Sequence, residues 1–399
     1  MAFSVKRNLT ALYLVKIAKW MNLVMPVIVL FYKSNGLTMK DIFLLQSVYS
    51  LTLMTLEIPT GYFADRVGRK SSILFGSMLG FTGYLVYSFS FGFWQFVIAE
   101  VILGVSQSLV SGADSAMLYD TLASAKQNDR YTRLEGRVTS IGNFGEAFAG
   151  IVGGILAVSS LRTPFFVQTC VAMIAIPAAL MLREPPVKTR KTKPGIKEIG
   201  SIIYSALHGD VKLKWNTFFS AITGAATLSM AWFAQPYFGQ IKLPLTMYGV
   251  LWALLNLTVG IAAIYAWRFE KKFGASRTVI TFTLAIFLSY LMLTFMPGYT
   301  GLIVLLVFYL GRGLATPTLR NYINIITTSD VRATVLSVRN FLIRFIFAVT
   351  GPLWGWITDK YSLQSAIISA GLIYGFFALI SMCFFLKHKT YEPYTTGNP

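Results

Sequence analysis

Ionisable side chains inside long apolar runs are the residues of this sequence best able to do chemistry. The acids are Glu57, Glu100, Asp114 and Glu146; the bases are Lys16, Lys19, Arg312, Arg320, Arg339 and Arg344. A charge in hydrocarbon is costly unless it faces a cavity or a partner, so each is a candidate for handling a solute or an ion. Lys16 and Lys19 are three apart and share one helical face, and Trp20 extends it as a mixed basic and aromatic surface. Trp232, Gln235 and Tyr237 offer stacking and hydrogen bonds farther along the chain. A proton carrier must change charge near neutral pH. With His208 and His388 outside the apolar runs, a carboxylate must serve, and Glu100, Asp114 and Glu146 are the candidates. An ion pair with Lys19 or Arg312 would hold such a carboxylate ionised and abolish coupling.

Several of these residues admit two readings. Lys16 either lines a cavity or snorkels to the membrane edge. Asp114 lies in Ser111-Gly112-Ala113-Asp114-Ser115-Ala116, a small-residue stretch that equally suits close helix packing. Glu100 is either buried or close enough to the outer edge to be solvated. Arg339 and Arg344 either face the solute or pair with Asp65 or Glu146 across helices. Glu57 and Arg320 fall near span ends and read as structural.

The elements that position these residues follow from composition. Of 399 residues, 55% are hydrophobic and 13% charged, about half the charged share of a soluble domain. Apolar runs near 20 residues long predict membrane helices over 9–32, 42–63, 73–91, 95–117, 138–158 and 164–182. A second set runs over 215–238, 247–267, 278–296, 301–322, 334–357 and 365–386. The stretch 183–214 reads as a linker between an N-terminal bundle, 1–182, and a C-terminal bundle, 215–399. Within the linker, Ile196, Ile199, Ile203 and Leu207 predict an amphipathic helix on the membrane face.

The net charge of +19 is explained by topology, without a nucleic-acid partner. Basic residues crowd alternate segments, such as Lys6 and Arg7, Arg66 to Lys70, the 183–214 linker, and Arg268 to Arg277. The opposite segments hold only Lys33, Lys40, Arg162, Lys242 and Lys360, which places both termini in the cytoplasm. Cys170 and Cys383 lie in apolar runs, and no paired-histidine motif, nucleophile elbow or P-loop occurs. The expectation is therefore a protein that is not an enzyme and uses no cofactor or metal. A weak repeat relates the halves. Arg66-Val67-Gly68 matches Lys272-Phe273-Gly274, and Ser140-Ile141-Gly142-Asn143-Phe144 matches Ser337-Val338-Arg339-Asn340-Phe341.

The stretch Gly61-Tyr62-Phe63-Ala64-Asp65-Arg66-Val67-Gly68-Arg69-Lys70 joins the second and third spans. Gly61 permits close helix approach, Gly68 permits a tight turn, and Arg66, Arg69 and Lys70 anchor the loop. This stretch resembles the signature loop of the major facilitator superfamily. Leu56-Glu57-Ile58-Pro59-Thr60-Gly61, Arg332-Ala333-Thr334-Val335-Leu336-Ser337, Gly150-x-x-Gly153-Gly154 and Gly351-Pro352-x-x-Gly355 also resemble superfamily segments. The resemblance covers the whole chain. It implies an all-α membrane protein of about 12 transmembrane helices in two pseudo-symmetric six-helix bundles. It implies gating by Asp65, Arg66 and Arg69, and a cavity lined by the first, fourth, seventh and tenth helices. Lys16, Lys19, Glu100, Asp114 and Arg312 then become lining candidates. Drug–proton antiporters carry an arginine four residues before a fourth-helix glycine, where this chain has Glu100 before Gly104.

The expected function is secondary active transport of a small organic solute by alternating access, as proton-coupled efflux. The solute is anionic, zwitterionic or amphiphilic. The alternatives are a multidrug antiporter for cationic drugs, a uniporter or importer, and a transporter-like sensor. The expected partners are the solute, a coupling proton and membrane lipid, with the chain a monomer in a bacterial cytoplasmic membrane.

Overall fold

A computed structural model describes residues 4–127, 130–185, 209–296, 298–327 and 331–392. The expected amphipathic helix over 196–207 and His208 lie outside the described residues. Every regular element among the described residues is a helix. In chain order they are α1 (Val5–Trp20), α2 (Ile28–Ser34), α3 (Met39–Val67), α4 (Arg69–Ser88), α5 (Phe93–Val110), α6 (Ala113–Ser124) and α7 (Tyr131–Ser159). They continue as α8 (Thr163–Met181), α9 (Val211–Gln240), α10 (Leu245–Phe273), α11 (Ala275–Phe295), α12 (Thr300–Ile326), α13 (Arg332–Lys360) and α14 (Leu363–Lys387).

Nine helices among the described residues are long and apolar enough to cross a membrane, counting α5 and α6 as one. The expected first, third and fifth spans are the remainder. The first is split into α1 and α2 by the non-helical segment Met21–Val27. The third, α4, is diluted by Ser71, Ser72, Ser77, the exposed Thr82 and three closely packed glycines, Gly76, Gly80 and Gly83. In the fifth, α7, the apolar stretch among the described residues covers Phe144–Ser159. Side chains such as Trp94, Phe144 and Phe295 remain outward-facing, as lipid contact requires.

The chain forms two compact units. One comprises Met1–Lys191 with Leu243–Ala253; the other comprises Thr192–Lys242 with Leu254–Pro399. In the first, α4 packs on α5 and α8, α3 on α5, and α1 on α8 and α7. The segment Leu243–Ala253 belongs here because Gly249 lies against Gly150 and Gly154 of α7, where a β-carbon would not fit. In the second, α9 packs on α14 and α13, and α11 on α12 and α14.

Local chemistry explains the helix ends. Thr38 and Asp41 form a reciprocal capping box at the start of α3. The Asp210 carboxylate caps α9 through the Leu213 N–H at 3.0 Å, and Ser362 caps α14 through the Ser365 N–H at 3.0 Å. The repeat seen in the sequence has a structural counterpart. Gly68 joins α3 to α4 at φ 110°, and Gly274 joins α10 to α11 at φ 82°. Both single-residue joints need a positive φ that glycine alone adopts readily.

Candidate functional site

Lys16, Lys19 and Asp114 meet inside the first unit. Lys16 Nζ lies 2.9 Å from Asp114 Oδ2 and Lys19 Nζ 3.8 Å from the same oxygen. The lysine ammonium groups therefore share one carboxylate, and the cluster carries an excess positive charge. Lys16 reaches a buried partner; it does not snorkel to the membrane edge. The helix ends favour the arrangement: Asp114 is in the first turn of α6 and Lys19 in the last turn of α1. Asp114 Oδ1 also accepts the Ser115 N–H at 2.7 Å.

Both supporting spans are interrupted at this level. The fourth breaks at Ser111–Gly112, where Gly112 takes φ 79°. The first breaks after Trp20. In that non-helical stretch the Leu23 N–H, freed from helical bonding, donates to Gln168 Oε1 of α8 at 2.8 Å. The Leu23 carbonyl sits where a β-carbon on Gly153 of α7 would be. Discontinuous helices lining a polar cluster are a recurrent way to expose backbone dipoles to a solute. Trp20 packs its indole on Gly142 of α7, so it supports the cluster by packing.

Glu100 does not lie at a solvated edge. It is 4% exposed, in α5, and enclosed by Tyr32, Gln46 and Tyr87. Tyr32 Oη donates to Glu100 Oε1 at 2.9 Å, and Gln46 Nε2 donates to the same oxygen at 2.5 Å. The Tyr32 and Tyr87 hydroxyls are 2.5 Å apart. Phe96 stands edge-on to Tyr32, and Phe165 stacks on Tyr87, excluding water from the cluster. No lysine or arginine pairs with Glu100 among the described residues of this unit. The other two acids differ: Asp114 is committed to an ion pair, and Glu146 is half-buried on α7.

The signature loop is organised by residues that sequence reasoning missed. Arg69 pairs with Asp120 of α6 at 2.6 Å and also bonds the Ala116 carbonyl. Asp120 falls just beyond the apolar run that ends at 117, so hydropathy does not mark it. Glu184 lies in the polar 183–214 stretch, where a carboxylate carries no signal of its own. Its Oε1 accepts the Lys70 N–H at 2.6 Å, capping α4 at Gly68, while Lys70 Nζ donates to the Leu180 carbonyl at 3.1 Å. Arg66 is exposed and lies over the Tyr62 ring. Asp65 is half-buried in the last turn of α3, and Gly61 precedes it by one turn.

In the second unit Trp232 and Gln235 are buried in α9. Tyr237 is occupied structurally: its hydroxyl donates to the Gly298 carbonyl at 2.8 Å, with the Met296 carbonyl 3.2 Å away, fastening the turn after α11. Arg312 is half-buried on α12, with its guanidinium 5.6 Å from the Tyr309 ring centre. Arg339 does not pair with a carboxylate of its own unit among the described residues; it donates to Ser220 and Asn340.

The sequence profile described as Major Facilitator Superfamily matches residues 17–346. Quinolone resistance protein NorA of Staphylococcus aureus (strain MRSA252) is 23% identical over 337 residues, covering 80% of this chain and 83% of that protein. Tetracycline resistance protein, class B, of Escherichia coli is 23% identical over 332 residues, covering 78% and 80%. Among solved structures, the nucleoside transporter NupG superimposes with a TM-score of 0.78 at 13% identity, covering 98% of this chain and 100% of that one. A D-xylose–proton symporter superimposes with a TM-score of 0.73 at 15% identity, covering 99% and 98%.

Proposed function

The chain belongs to the major facilitator superfamily, and on that footing we propose that it exports a small, negatively charged or zwitterionic organic solute in exchange for protons. The observation that carries this reading is the pair of lysines sharing Asp114 in the span interior. One ammonium is neutralised and the other, Lys19, is left to meet an anionic group of the solute. Lys19 is the more accessible of the two, at 21% side-chain exposure against 11% for Lys16. Export is the direction suggested by relatives named for quinolone and tetracycline resistance. The membrane is then the bacterial cytoplasmic membrane, with the basic loops inside.

Glu100 is the proton carrier in this account. It has hydrogen-bonding partners but no cation paired with it among the described residues of its unit, so it can hold its charge or a proton without losing its surroundings. Asp114 cannot serve while two ammonium groups hold it. Uptake of carboxylated dyes and of quinolones into inside-out vesicles tests the solute claim. Lys19→Ala is expected to lower transport of an anionic solute at least tenfold, with Lys19→Arg retaining most of it. Equal transport by wild type and Lys19→Ala would remove the charge argument.

A further inference from the structure

A cation is buried in the second unit with no carboxylate bonded to it among the described residues. Arg339, on α13, is 9% exposed. Its Nε donates to Ser220 Oγ of α9, and its Nη1 donates to Asn340 Oδ1 at 3.2 Å. The like charge of Arg320, on α12, bears on it. The described acids of this unit are Asp210, Glu270, Asp359 and Glu392, and none of them bonds Arg339. Glu270 is bonded to Tyr322 at 2.6 Å, and Asp330 lies outside the described residues. A buried guanidinium in such surroundings is costly, which makes it a functional candidate by default.

The helix facing Arg339 supplies a matching set of polar groups. Ser220 lies four residues after Asn216 and three before Thr223, so all three share one face of α9. Asn216 is 0% exposed and neither of its amide atoms has a hydrogen-bond partner among the described residues. Thr223 is 2% exposed and its hydroxyl is likewise unpartnered. Buried polar atoms are nearly always bonded, so unpaired ones flanking a cation call for an explanation. Leu213, Ile323, Ile326 and Val335 form an apolar cluster about one turn before Asn216 on α9 and Arg339 on α13; low dielectric nearby strengthens an electrostatic contact.

We propose that Arg339, Ser220, Asn216 and Thr223 form an oxyanion site in the second unit, taking a carboxylate or phosphate group. The guanidinium supplies the charge, and the two hydroxyls and the amide N–H groups supply neutral donors. A soluble organic anion and a phospholipid headgroup share this chemistry. The site uses none of the residues of the Lys16–Asp114–Lys19 cluster and stands independently of the export reading.

The test is thermal unfolding of the purified full chain in phosphatidylcholine nanodiscs. The soluble probes are inorganic phosphate and citrate; the lipid probe is added phosphatidylglycerol. A ligand bound only by the folded state raises the melting temperature with concentration. Wild type is expected to respond, and Arg339→Gln to lose the response while melting no lower than wild type without probe. Asn216→Leu, which keeps the side-chain shape, is expected to need at least threefold more probe. A response to the soluble anions assigns the site to a solute, and a response to phosphatidylglycerol alone assigns it to lipid. No response by wild type to either probe, or a full response by Arg339→Gln, overturns the proposal. Should Arg339→Gln fail to fold, an unchanged response by Asn216→Leu overturns it instead.

Discussion

Asp114 is held by two lysines, and its removal would leave two cations facing each other in a span interior. Breaking a buried pair from one side typically costs about 3–5 kcal/mol. Asp114→Asn is therefore expected to lower the melting temperature of the purified protein sharply. Lys19→Ala keeps the shorter Lys16–Asp114 contact and should melt close to wild type while losing transport. If both variants melted alike, the shared-carboxylate geometry would be wrong. The same reasoning applies to Arg69 and Asp120, so Asp120→Asn should destabilise by a comparable amount, read by the same unfolding assay. At this scale the sequence marks Lys16, Lys19 and Asp114 as charges inside apolar runs and leaves Asp120 and Glu184 unmarked. Lys16 and Lys19 were recognisable by spacing, and Asp114 by its place in an apolar run. Glu100 draws Tyr32, Gln46 and Tyr87 from separate helices, and nothing local links residues so far apart in the chain.

At the scale of elements, the interruption at Met21–Val27 is the feature that sets the cluster's geometry. It depends on Gln168, which satisfies the Leu23 N–H, and on Gly153, which admits the Leu23 carbonyl. Leaving a buried N–H unsatisfied costs about 1–3 kcal/mol. Gln168→Leu is thus expected to destabilise by that amount in a denaturation experiment, and Gly153→Ala to impair transport because the backbone has nowhere to move. Wild-type transport by Gly153→Ala would show that the broken segment is not closely held. The interruption was hidden in the sequence because Leu23, Val24, Val27 and Ile28 continue the apolar run through it. Pro26 and Gly112 were the available signals, yet neither residue alone distinguishes a break from a kink. The joints at Gly68 and Gly274 were legible, since the same short pattern recurs at the same place in each half. Gly68→Ala carries two penalties: its φ is 110°, and its β-carbon would lie 2.7 Å from Glu184 Oε1.

For the whole molecule, hydropathy and loop charge carried the fold, and the superfamily profile and solved relatives agree with it. Periodic apolar runs are long-range signals that survive local irregularity, which explains why the number of spans was accessible while two internal breaks were not. Cargo specificity lies at the opposite extreme, in a few side chains converging from distant segments. The central claim is that solute export is exchanged for protons through Glu100 while Lys19 meets the solute's charge. It is tested most directly by following internal pH in proteoliposomes loaded with a pH-sensitive dye, on addition of a carboxylated solute under an imposed gradient. The account predicts solute-triggered proton movement by wild type, loss of both solute and proton flux in Lys19→Ala, and solute movement without proton flux in Glu100→Gln. Solute flux that ignores the gradient in wild type, or proton flux that persists unchanged in Glu100→Gln, would contradict it.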